Sequence, residues 1–346
     1  MFSIGPALHT SRVDLVYDLK QQSGDAAGAD RLARFFAPRH CLVMAQIALS
    51  LMLLFSAGLF FRGALRASAL DPGFEPAGGV VAELDFSLAG TGEPAAKRAM
   101  FAALDQVRAL PGVTGAALAT LLPYGNISSQ TRLVPAAAPT VTDPTAADPG
   151  VNANNASITP GYFETIGVRL LRGRDFSPGE TSDKAAPRVA IVDELLAKQL
   201  FPTGDALGQR IRYTQPPADG SPSEMEIVGI VAEHRHGIST KRRSGLFFVP
   251  LAQAYSADVF LHTRFATKDP ATTAAAVEQV RSALRALDPG LPVLQIQPFT
   301  RVLESNLALW IRQIGAVLFG LFGGIALVLA VVGVYGVKAY ALARRT

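Results

Sequence analysis

Two long uncharged apolar stretches, Cys41–Phe61 and Ile314–Val337, set the terms on which this chain can fold. At 1.5 Å of rise per residue, a helix of about 20 apolar residues covers a hydrocarbon core of about 30 Å. The pair predicts membrane helices over 41–61 and 313–337, with residues 62–312 together on one side of the bilayer. Residues 1–40 and 338–346 then share the other side. The first stretch reads as a retained anchor, because its apolar run exceeds the 7–15 residues of a cleaved leader's core and no small-x-small site follows it cleanly.

Charge sets the orientation. Arg31, Arg34 and Arg39 precede the first stretch and Lys338, Arg344 and Arg345 follow the second, while Arg62, Arg66, Arg301 and Arg312 lie on the inner flanks. The balance predicts cytoplasmic termini and a periplasmic central domain, a multi-pass protein of the cell inner membrane. A net charge of +4 spread over 346 residues gives no basic patch, so nucleic acid is not expected as a partner and the lipid bilayer is. The single cysteine, Cys41, excludes an intrachain disulfide and any cysteine-based metal cluster.

The spacing from Ser11 to Asp14 predicts a short amphipathic helix within 1–40. After the first apolar stretch, Asp71–Pro76 is a turn cluster. Val80, Ala82, Leu84 and Phe86 then alternate with Val81, Glu83 and Asp85, the period of a half-buried strand. A helix follows over 94–110 with Met100, Leu104 and Val107 on one side, Pro111-Gly112 stops it, and 113–122 reads as a second strand. The pattern returns at the far end: strand 259–263, a helix capped by Asp269-Pro270 with Val277, Val280, Leu284 and Leu287 as its stripe, then strand 293–296. Two split β-α-β units predict an α+β fold with helices on one face of a sheet.

Between the units the texture changes. Residues 133–156, rich in Pro, Ala, Thr, Asp and Asn, read as a mobile loop. Short strands and a helix over 192–201 follow, and 227–232 is another strand. The expected domain is therefore two porter-like parts, about 78–132 and 245–300, around a β-rich insert at about 155–240.

Catalytic chemistry is not apparent. Neither a Gly-x-x-x-x-Gly-Lys-Ser/Thr string nor a Gly-x-Ser-x-Gly string occurs, so no catalytic, cofactor-binding or metal residues are assigned. Glu233-His234-Arg235-His236, with His262 elsewhere, has no acidic partner at ligand spacing and is crowded by Lys241, Arg242 and Arg243; it reads as a solvated basic turn. The membrane stretches say more. Gln46 and Ser50 share one helix face, where polar groups in lipid need a neighbouring helix. Gly320, Gly324, Gly333 and Gly336 line the second stretch, and the Gly-x-x-x-Gly at 320 and 324 predicts close helix packing.

Several strings together resemble a known family. Ile158-Thr159-Pro160-Gly161-Tyr162-Phe163-Glu164-Thr165-Ile166-Gly167, Leu171-Arg172-Gly173-Arg174-Asp175-Phe176, Ala190-Ile191-Val192-Asp193-Glu194, Ile227–Val231 and Gly333-Val334-Tyr335-Gly336-Val337 through Thr346 are similar to MacB-type, FtsX-like ABC transporter permeases. With Pro6-Ala7-Leu8 and Ser11–Asp14 ahead of the first stretch, the chain looks most like the second half of a duplicated acidobacterial orphan permease. The resemblance implies a periplasmic core domain driven by a cytoplasmic ABC-type ATPase, in export or mechanotransmission without a tunnel. It also implies further partners: the remaining permease helices or another permease half, and a periplasmic partner. Family members carry two more helices after the stretch beginning at Ala343, so the resemblance implies a fragment. Two other readings fit the bare topology, a two-span receptor with a periplasmic sensor and a non-energised assembly platform.

Overall fold

The computed structural model describes residues 38–68, 72–90, 92–125, 129–139, 150–183, 185–215, 222–234, 244–304 and 307–343. The helix expected from Ser11 and the segment 235–243 lie outside them. The chain divides into two units, Ala64–Arg312 and the pair of segments Met1–Gly63 with Gln313–Thr346.

In the second unit, α1 (Pro38–Ser68) and α8 (Leu307–Ala343) are long helices. Val317–Tyr335, 19 residues with mean hydropathy 2.7, is the one stretch among the described residues long and apolar enough to cross a membrane. Ile47–Gly63 is apolar but shorter. By length and composition α8 thus holds one candidate span, and the expected flanking pair of spans is not shown.

The larger unit is an α+β body built on an 11-stranded sheet. At one end, β11 (Val293–Pro298), β1 (Gly79–Asp85), β10 (Asp258–Phe265) and β2 (Val113–Ala119) pair antiparallel in that order. This is the split β-α-β arrangement: each outer crossover is a helix, α2 (Glu93–Arg108) and α6 (Pro270–Leu287). Both helices begin where the sequence supplies a start. Asp269 accepts the Thr272 N–H and Pro270 fills the first turn; Pro94 does the same for α2. Their apolar sides, Met100, Leu104 and Val107 from α2 and Val277, Val280 and Leu284 from α6, bury against Val80, Ala82, Leu84 and Leu261 on one sheet face.

The remaining strands continue the sheet as β4 (Val151–Ile158), β3 (Ser129–Pro135), β7 (Arg210–Tyr213), β8 (Glu224–Val231), β6 (Val189–Asp193) and β9 (Gly245–Pro250), with β5 (Leu170–Gly173) on β8. The bridge to the first part is a single pairing, Ala119 with Ile158. Two expectations fail here. The presumed loop 133–156 is bounded by strands at both ends, because β4 has partners on both sides, β3 antiparallel and β9 parallel, that satisfy its polar backbone. The helix expected from Val192 starts at Glu194 as α5 (Glu194–Leu200): Val189–Asp193 is fully buried strand, and Asp193 caps the helix by accepting the Leu196 N–H at 2.7 Å.

Candidate functional site: the clamp on the chain's entry and exit

The opposite face of the split β-α-β sheet carries Val81, His262, Phe260, Ala117 and Ala119, placed together by the registers Val81 with His262 and His262 with Ala117. A row of rings covers it. Tyr162 of α3 (Tyr162–Ile166) meets His262 edge-on at 5.3 Å, His262 meets Phe299 at 5.5 Å, and Phe299 stacks on Phe74 at 5.2 Å and 17°. Phe74 lies in the segment that leads from α1 into β1. Phe299 opens α7 (Phe299–Glu304), which precedes α8. Entry and exit of the chain are thus packed ring on ring within one core.

Arg264 fastens the entry segment. Its guanidinium donates to the carbonyls of Glu75 at 2.6 Å, Ala77 at 3.4 Å and Thr165. The Glu75 N–H donates to the Ile166 carbonyl at 2.8 Å, and Lys268 donates to the Glu75 carboxylate at 2.8 Å. That bond holds the Glu75 carboxyl below its ordinary range, while burial pulls the Arg264 guanidinium down. A planar fork reaching three carbonyls fixes direction as well as distance, which a lysine cannot do.

Two of the strings that suggested a family, 158–167 and 171–176, hold α3 and its flanking turns in place. The Asp175 carboxylate accepts the N–H groups of Gly161 and Phe176, at 2.8 and 2.7 Å. Gly167 and Gly173 have φ of +78°, and a Cβ on Gly173 would run into the Val228 carbonyl. Only glycine suits both demands. Arg174 pairs with Glu180 at 2.7 Å and holds that carboxyl down to about 2, while Glu180 completes with Ser177 the capping box that opens α4 (Pro178–Ser182).

Within the helix unit, α1 and α8 meet through Phe60 and Phe319, stacked at 5.1 Å and 10°. Gly315 and Gly323 flank that stack at four-residue spacing; a Cβ on either would lie 3.0 Å from the Phe60 ring or 3.1 Å from Leu54. Around the Cβ positions of Gly320 and Gly324 no atom lies within 4 Å, and Gly333 is half-buried. Gly336 lies in α8, and its surroundings, like those of the Gln46 and Ser50 side chains, lie outside what the structure describes. We expect Gly323→Leu to lower the thermal midpoint of the detergent-solubilised chain by several degrees, through overpacking, and Gly320→Leu to leave it nearly unchanged. Equal shifts would remove the distinction.

His234 corrects the sequence reading. It is buried, 4 % exposed, and its ring stacks on Phe248 at 5.7 Å and 18°. No group of three or more His, Cys, Asp or Glu side chains among the described residues is placed to hold a metal ion. An open cleft of about 280 Å³ runs between α2, β2 and α3, with Arg108, Thr114, Glu164 and Thr165 on its walls. Arg108 there donates to the Ala116 carbonyl at 3.0 Å.

Sequence reasoning missed Phe74, Phe299 and Arg264. Their neighbours are far away along the chain, and the only local signal was an aromatic residue inside the turn cluster 71–76.

A family model for the MacB-like periplasmic core domain matches residues 42–283. The chain belongs to the MacB-like periplasmic core domain family. Its relatives are permease components of ABC transporters. Solved structures similar to this MacB-like chain include the periplasmic region of MacB from Actinobacillus actinomycetemcomitans, at 13 % identity over 67 % of this chain and 94 % of that one, TM-score 0.43. The extracellular domain of the noncanonical ABC-type transporter YknZ from Gram-positive bacteria matches at 12 % identity over 62 % and 100 %, TM-score 0.38. A domain of a putative permease protein from Porphyromonas gingivalis matches at 15 % identity over 68 % and 95 %, TM-score 0.37. A search of curated proteins found no match.

Proposed function

We propose that this MacB-like chain is a permease subunit, or a piece of one, that passes ATP-driven motion from a cytoplasmic ATPase into its external domain, in export or mechanotransmission. In this reading both apolar helices span the inner membrane and the body between them is periplasmic. The observation that carries it is the stack of Phe74 on Phe299, reinforced by the three-carbonyl grip of Arg264. Entry and exit segments bound into one core cannot shift independently of it, so movement of either helix is delivered to the body.

The open faces at Gly320 and Gly324 suit further permease helices or another permease half, and Gln46, Ser50, Gly333 and Gly336 are proposed to pack in the same way. The test is topological. In a Cys41→Ser background, Asp105→Cys places a thiol on the exposed side of α2. A membrane-impermeant maleimide added to whole spheroplasts should label it fully. Labelling only after the membrane is opened would put the body in the cytosol and end the proposal.

A further inference from the structure

His262 is 1 % exposed and sits between Tyr162 and Phe299, and neither ring nitrogen makes a well-formed hydrogen bond among the described residues, the Leu121 carbonyl being its one weak polar neighbour there. The Tyr162 hydroxyl beside it is buried and also without a partner. Packing alone would favour a phenylalanine at such a place, since a buried imidazole with so weak a polar neighbour sacrifices hydration. What the imidazole adds is a charge that can be switched.

We infer that His262 is an acid-operated release for the clamp: protonation of its ring opens the Tyr162–His262–Phe299 stack and frees the Phe299 segment from the body. The inference rests on the proposed role of that clamp in coupling.

The surroundings offer an imidazolium no counter-charge. Facing it from β1 is Val81, and Glu83, the next residue on that face, registers with Phe260. From β2 comes Ala117, and from α3 the phenol of Tyr162, with Glu164 exposed to solvent. On β10 itself the next residue along the face is Arg264, a like charge committed to carbonyls. From α7 comes Phe299, while Arg301 and Glu304 point to solvent. The second buried histidine, His234, stacks on Phe248, whose ring lies 6.1 Å from that of Tyr162.

Burial pushes the His262 pKa down from 6.5 to about 4, against a weaker upward pull from the Leu121 carbonyl. The folded value therefore lies below the unfolded one. The closed stack is fully favoured above about pH 6.5 and loses ground as pH falls toward 4. The group that opens need not be the whole domain. α7 is a short helix held mainly by Phe299 and Val302, both in the same core, and segments with so few anchors open below the cost of global unfolding.

The test is hydrogen exchange by mass spectrometry on the full chain in lipid nanodiscs, from pH 7.5 to 4.5, with rates corrected for intrinsic chemistry. Peptides covering 72–79 and 299–304 should exchange at least tenfold faster at pH 4.5 than at pH 7.5, reversibly, while peptides from α2 and α6 hold their protection. His262→Phe should abolish the acid response and His234→Phe should leave it. If His262→Phe fails to fold, His262→Leu replaces it and must also abolish the response. A response that persists in the folded His262 variant, or no acid response in the unaltered chain, overturns the inference. Exchange needs neither the ATPase nor transport, so failure here leaves the coupling proposal standing. Failure of the topological test leaves the acid response standing as a property of the fold.

Discussion

Replacing Phe299 by alanine should destabilise the α+β body by about 3–5 kcal/mol, the usual cost of removing a buried phenylalanine. Its ring is 2 % exposed and touches both Phe74 and His262, so the cavity opens in the middle of the row and not at its end. Phe74→Ala should cost somewhat less, because Phe74 is packed by Phe299 on one side and by Tyr124, at 5.9 Å, on the other. The two losses should not add. A double-mutant cycle on urea midpoints should return a coupling of about 0.5–1.5 kcal/mol for the stacked pair. Additive losses would mean that entry and exit segments are held separately, and the coupling proposal would lose its support.

Arg264→Met should cost about 1.5–3 kcal/mol, in the range for hydrogen bonds made by a charged group. The loss has a local signature: the Glu75 amide, which donates to the Ile166 carbonyl, should exchange much faster in the variant. Arg264→Lys keeps the charge but cannot serve three acceptors in a plane, so it should recover less than half of the stability. A lysine variant equal to the original chain would show that charge, and not the fork, secures the segment.

The elements that could be read from residue order are those whose signals are local. α2 and α6 announce themselves by a Pro start, a four-residue apolar rhythm and a Pro-Gly after the end; the sheet they cover then follows from alternation at 80–86 and 259–263. β3 and β4 could not be read. Their sequences, Ser-Gln-Thr-Arg-Leu-Val-Pro and Val-Asn-Ala-Asn-Asn-Ala-Ser-Ile, hold no aromatic residue and few branched ones, Thr131 and Val134 in β3 and Val151 and Ile158 at the two ends of β4, while asparagine, depleted in strands, fills the middle of β4. Pairing with neighbours on either side overrides that preference.

The same division holds for the site. The string from Ile158 to Phe176 was recognisable because its glycines are fixed by backbone geometry, which leaves a readable mark. The clamp left none: Arg264 acts on carbonyls 99 and 189 residues away, and a carbonyl is present whatever the side chain. His234 misled for a related reason. A histidine followed by Arg235 and His236 has the texture of a wet turn, yet its own ring lies flat against Phe248.

Because the polypeptide comes in at Phe74 and goes out at Phe299 through a shared doorway, the body is a self-closed insert between two helices. It could be lifted out and another module with neighbouring termini fitted in its place without changing the gap that the helices must bridge. Chimaeras joined at 74 and 299 therefore offer a route to give one pair of helices different bodies.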